Sequence, residues 1–174
     1  MSAEEEIQEH VHHAHNSFDK TVAGTMAVVG ALLAIVSVTG QHYNTEELLL
    51  QQRASDQWAY YQAKSIRRFI SRTTSDTIAQ IKGGTAAPAV GKYNEAEQKY
   101  KNDGEEITKQ AQELEKDSRK NGRQSSRYHV SEVFLEISIV FSSLSILLKR
   151  PMLFAGSIAA AITGVILALT ALSI

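Results

Sequence analysis

Residues 131–174 read SEVFLEISIVFSSLSILLKRPMLFAGSIAAAITGVILALTALSI, and the reading of this stretch decides the fold. It contains two apolar runs separated by Lys149-Arg150-Pro151, a tight turn between helices. No charge occurs from Ile137 to Leu148 or from Met152 to Ile174, and the second run alone meets the roughly 20 residues a bilayer core requires. The first run reaches that length only by starting near Val130 and taking Glu132 and Glu136 with it. Carboxylates at such depth are costly in lipid, and by default they mark function or helix pairing.

Two faces of the run 131–148 are polar. Glu132, Glu136 and Ser143 share one, while Ser138, Ser142 and Ser145 share the next. Glu132, Glu136, Ser138, Ser142 and Ser143 are therefore candidates either for lining a pore or for pairing helices. Two alternatives stay open for the acids: Glu132 at headgroup depth, and Glu136 snorkelling or pairing with Arg127 or a histidine. In 151–174, Gly156, Ala160, Gly164 and Ala168 recur every four residues. Such a ridge lets two helix backbones pack at close range, and it does not name the partner.

Upstream, residues 41–130 hold 15 of the 18 Lys and Arg and 12 of the 19 Asp and Glu. Their run of good helix formers is interrupted by Gly83-Gly84-Thr85-Ala86-Ala87-Pro88-Ala89-Val90-Gly91, which predicts a turn over 83–91. The flanking legs, 43–82 and 92–130, are nearly equal, as an antiparallel hairpin leaving a membrane and returning to it requires. At 1.5 Å per residue each leg is about 60 Å long. Tyr93, Tyr100, Ile107 and Leu114 recur every seven residues, an intermittent coiled-coil seam. Centring the fold on the predicted turn pairs Tyr61 with Leu114, Ile66 with Ile107, Phe69 with Gly104, Ile78 with Ala96 and Ile81 with Tyr93. The same register sets Glu46 and Glu47 near Arg127. Arg119, Lys120, Arg123 and Arg127 form a basic collar that either meets anionic headgroups or is a solvated face.

Residues 21–40 form the first span, 20 uncharged residues in which Ala23, Ala27 and Ala31 let another helix approach closely. The run follows an acidic tail and lacks a basic start and a cleavage site, so it reads as an uncleaved anchor. That tail, residues 1–20, carries His10, His12, His13 and His15. Imidazoles at this spacing can take a divalent metal, or the four can simply be a solvated tail; no other cofactor is expected.

The mean hydropathy of −0.20 averages these apolar runs with a polar centre. The chain has no cysteine, so thiol and disulfide chemistry are excluded, and its formal net charge of −1 is near zero. Trp58, Tyr60 and Tyr61 lie near Arg67, Arg68 and Arg72, but Asp56 and Asp76 interrupt the positive charge. No nucleic-acid partner is expected. Phosphate-binding loop, nucleophile elbow, HExxH and dinucleotide signatures do not occur, and we expect no catalysis and no catalytic residues.

Through Asn44-Thr45-Glu46-Glu47 leading into Gln51-Gln52-Arg53-Ala54-Ser55-Asp56-Gln57-Trp58-Ala59-Tyr60-Tyr61-Gln62-Ala63-Lys64-Ser65-Ile66-Arg67-Arg68, the chain resembles a bacterial membrane family known as domain of unknown function 4337. The likeness covers most of the chain. It implies a multi-pass protein of the bacterial inner membrane and brings no activity, catalytic residue or cofactor.

The expected fold is thus all-α, an integral membrane protein with three transmembrane helices (21–40, 131–148, 151–174) and a long antiparallel hairpin, a coiled-coil stalk, over 41–130. Three spans put the termini on opposite sides, and basic residues near the span ends lean toward a cytoplasmic stalk. The expected partners are the lipid bilayer, further copies in a homo-oligomer, and an unidentified protein docked on the stalk. Two functions fit: a non-catalytic oligomeric scaffold or sensor, and an oligomeric ion or proton conduit lined by Glu136 and the serines of the second span.

Overall fold

A computed structural model of the chain describes residues 17–82 and 87–173. Three helices account for nearly all of them: α1 (Ser17–Lys82), α2 (Ala87–Leu148) and α3 (Pro151–Ala171). The described residues contain no strand. Each helix is long and apolar enough to cross a membrane. No proline falls between Ser17 and Lys82, so nothing there removes a backbone donor or forces a kink. Asp19 in the first turn of α1 complements the positive helix end.

α2 opens at Ala87, so the last five of the nine residues read as a turn are helical. Pro88 sits in the first turn of α2, where its missing N–H would have had no intrahelical partner anyway. A proline that reads as a breaker is here a starter. At the other junction Lys149 takes a left-handed φ of 49° just past the end of α2, the conformation that commonly terminates helices. Arg150 is extended (φ −110°, ψ 108°) ahead of Pro151, as a residue before proline prefers.

The described residues divide into two compact units: 17–44 with 122–173, and Thr45–Asn121. The first contains the apolar part of α1, the C-terminal part of α2 and all of α3. At one end Phe18 meets Phe154 edge-on, with ring centroids 5.8 Å apart; at the other, Tyr43 stacks on Tyr128 at 5.6 Å. α1 and α3 therefore run parallel to each other and antiparallel to α2. Val29, Val36, Tyr128, Leu135 and Ala171 make the core, with Leu33, Ile139 and Val165 packed on it. Val28, Ile35, Val38, Val140, Ile162 and Leu169 are exposed, so this unit is apolar outside as well as inside, the pattern of a membrane bundle. Gln124 donates to the carbonyl of Ala171 and Arg127 to that of Thr170, capping the negative end of α3 with a cation. These contacts group 122–130 with the apolar bundle, although the sequence reads them as hairpin.

In the second unit, the rest of α1 and the start of α2 pack antiparallel. Tyr61 lies over Gly104, its Cε2 3.3 Å from where a glycine Cβ would stand. Ser75 donates to Asn94 Oδ1 at 2.7 Å and Lys64 to Asp103 Oδ2 at 2.6 Å. The pairing of Phe69 with Gly104 is thereby corrected by two helical turns, and Phe69 is exposed. Ser118, not Arg127, meets Glu47, donating to its carbonyl. α2 starts at Ala87, ahead of the expected Lys92, and the contacts of Tyr61 with Gly104, Ser75 with Asn94 and Glu47 with Ser118 all depart from the expected register in the same direction. The large-against-small principle holds, with Tyr61 in place of Phe69.

Candidate functional site

The polar groups of the apolar unit concentrate between α2 and α3. Tyr128, Ser131, Leu135, Ser138, Ser142 and Ser145 are all buried, and their alternating spacing of three and four is that of a helix seam. Ser131 Oγ donates to the Gly164 carbonyl at 2.7 Å. The hydroxyls of Ser138 and Ser142 both bond Ser157 Oγ, at 3.0 and 2.6 Å. Ser145 donates to the Arg150 carbonyl at 3.2 Å. Serine hydroxyls in an apolar bundle gain by pairing across helices, since leaving them unpaired in hydrocarbon is costly.

The glycine ridge of α3 fits this seam. A Cβ on Gly164 would stand 3.0 Å from Leu135 Cγ and 3.1 Å from the Ser131 carbonyl, and one on Gly156 would stand 3.4 Å from the Phe141 ring. Gly164 is thus what lets Ser131 reach the α3 backbone. The partner of the ridge is α2 of the same chain; Ala168 packs on the core, and Ala160 is half-buried. Sequence reading singled out Ser138 and Ser142 but missed Ser131 and Ser157. Ser131 lies seven residues before Ser138, a spacing that was there to be read; Ser157 offered no periodic signal.

The acids lie elsewhere on α2. Glu132 is half-buried and meets His129 Nδ1 at 3.3 Å. Glu136 is exposed, and so are Val133, Ile137 and Val140 around it. Ser143, about two turns further along the same face, is exposed too. The exposed threonines of this unit bond their own helices, Thr21 to the Ser17 carbonyl, Thr25 to that of Thr21 and Thr39 to that of Ile35, which satisfies a hydroxyl without water. Ala23, Ala27 and Ala31 lie on an exposed face of α1.

In the hairpin unit the aromatic and charged residues are engaged with one another. Trp58 Nε1 donates to Glu115 Oε1 at 2.8 Å. The Lys64 ammonium lies 5.2 Å from the Tyr60 ring centroid and 5.5 Å from that of Tyr100, and Arg68 pairs with Glu97 at 3.4 Å. The Asp103 hydrogen bond, and then one with Tyr60, holds the Lys64 pKa above its usual range. The short side of Gly104 opens a groove of about 490 Å³ beside Tyr61, Arg68, Tyr100 and Lys101.

Among the described residues no three His, Asp or Glu side chains gather as metal ligands. His10, His12, His13 and His15 lie outside the described residues.

The family model for the domain of unknown function DUF4337 matches residues 18–174. The chain belongs to the DUF4337 family. No curated protein and no solved structure matches it. The match takes in all three helices of this DUF4337 protein, including the serine seam and Glu136.

Proposed function

We propose that this DUF4337 protein is a non-catalytic, self-associating scaffold of the bacterial inner membrane, with three spans in the bilayer and the helical hairpin 45–121 as the surface that docks a protein partner. One observation carries the self-association. Glu136 is exposed among exposed aliphatic side chains on a helix of spanning length, and a carboxylate left to lipid there costs about 2.5–3.5 kcal/mol or more. A second copy over this face removes that cost through a shared proton or a hydrogen bond. The Ser138, Ser142 and Ser157 hydroxyls bond one another between α2 and α3, which suits a helix-packing role.

Exposure of Glu136 also favours a second reading, in which its copies converge on an axis and conduct ions or protons. Ser143 shares that face, but Ser138 and Ser142 are engaged inside the chain. A Glu136→Gln variant, weighed intact in mild detergent and assayed for ion flux in vesicles, separates the two. Loss of assembly supports the scaffold; retained assembly with lost flux supports the conduit; unchanged assembly without flux in either protein contradicts both roles for Glu136.

A further inference from the structure

The outward faces of the two hairpin helices differ. On α2 the exposed residues include Lys99, Glu106, Lys109, Glu113 and Lys116, a solvated charged face. α1 turns Ala54, Ser71 and Ser75 inward, where they are buried, and its opposite side is a heptad row without a charge from Leu48 to Thr73. One set of positions in the row is Gln52, Ala59, Ile66 and Thr73, and all four are exposed. The alternate set, also exposed, is Leu48, Ser55, Gln62 and Phe69. Ile66 is 59% and Phe69 69% exposed. Asp76, at the next position of the row, ends it.

We propose that this row is the seam of a parallel two-stranded coiled coil between α1 helices of two copies of the chain. The inference rests on the self-associating membrane reading, because copies obeying one insertion rule run parallel in a bilayer. Ile66 at an a position and Leu48 at a d position are the residue types a parallel pair favours, and the polar Gln52, Ser55, Gln62 and Thr73 between the apolar positions carry no charge. The flanks agree as well. Only Asp56 among the e positions and Arg72 among the g positions are charged, and a parallel pair sets Asp56 opposite Gln51 and Arg72 opposite Thr77. No like charges meet. At 1.5 Å per residue the row is about 39 Å long, between three and four heptads of continuous uncharged seam.

The chain has no cysteine, so single thiols report contacts cleanly. Full-length Phe69→Cys and Ile66→Cys proteins, oxidised in native membranes, are expected to form covalent dimers at least tenfold faster than Lys99→Cys on the outward face of α2. Equal rates, or no dimer from either seam position, overturn the seam. The Ile66→Glu/Phe69→Glu protein, weighed intact in mild detergent, is expected to lose the dimer with its hairpin retained by circular dichroism. A wild-type multimer that survives the double substitution and gives no seam cross-link overturns the seam and leaves the scaffold standing. A monomeric wild type overturns both.

Discussion

Tyr61 covers Gly104, and this one contact sets which residues of the hairpin face one another. The ring lies 3.3 Å from the position of a glycine Cβ, so a larger residue at 104 must push α1 and α2 apart or drive Tyr61 out of its rotamer. Gly104→Leu is expected to destabilise the hairpin by about 1–3 kcal/mol, the usual range for overpacking. Trp58, the single tryptophan, reports it: its indole bonds Glu115 across the same pair, and its fluorescence in urea should show a lower midpoint for the variant. An unchanged midpoint contradicts the contact.

The register makes its own prediction. Ser75 and Asn94 are hydrogen-bonded across the hairpin, so a Ser75→Cys/Asn94→Cys protein should close an intrachain disulfide rapidly. Ile78→Cys/Ala96→Cys, the pair expected from a turn centred on residue 87, should not. Mobility on denaturing gels with and without reductant distinguishes the two.

Ser157 accepts or donates at once to Ser138 and Ser142, so removing it strands two buried hydroxyls. Ser157→Ala is expected to cost about 0.6–2 kcal/mol, the range for interhelical hydrogen bonds in membranes, and a cycle with Ser142→Ala should be non-additive by a similar amount. Thermal unfolding in detergent measures both. Gly164→Ala should lower the midpoint more than Gly156→Ala, since its Cβ would meet a backbone carbonyl and Leu135 at 3.0–3.1 Å instead of a ring at 3.4 Å. Additive serine effects and equal glycine effects would contradict the seam.

High pH should weaken both units for separate reasons. The Asp103 hydrogen bond, then that of Tyr60, raises the Lys64 pKa above its ordinary 10.5, so this stabilisation is present below 10.5 and is lost as pH rises through the folded value. Burial, with Tyr43 adding to it, raises the Tyr128 phenol above its ordinary 10.0; deprotonation again costs stability, and the loss falls above pH 10. Urea midpoints measured between pH 8 and 11.5 should decline at the alkaline end. Asp103→Asn should flatten the decline of the hairpin, and Tyr128→Phe that of the apolar unit.

Much of this architecture could be read from residues alone. Uncharged runs of spanning length need no tertiary information, and the Lys149-Arg150-Pro151 turn follows from what proline does to its neighbours. The register could not be read, because Pro88 fits a turn and a first helical turn equally well, and only the packing of Tyr61 on Gly104 chooses. The small-residue ridge of α3 was visible as a packing surface, but its partner was not: Gly156 and Gly164 fit a second copy as readily as they fit α2. Ser157 was hidden for the same reason, since a single serine in an apolar helix acquires meaning only from what lies across from it. The charge-free row of α1 was present in the sequence, but only the burial of Ala54, Ser71 and Ser75 beside the exposure of Ile66 and Phe69 shows which side of α1 is left uncovered.

Self-association underlies both the scaffold and the seam on α1, and the intact mass of the full-length protein in mild detergent or lipid nanodiscs tests it most directly. The account predicts a species of at least two copies that persists on dilution and dissociates in the Glu136→Gln or Ile66→Glu/Phe69→Glu protein. A single copy of 19.1 kDa at every concentration, in lipid as well as in detergent, would contradict it.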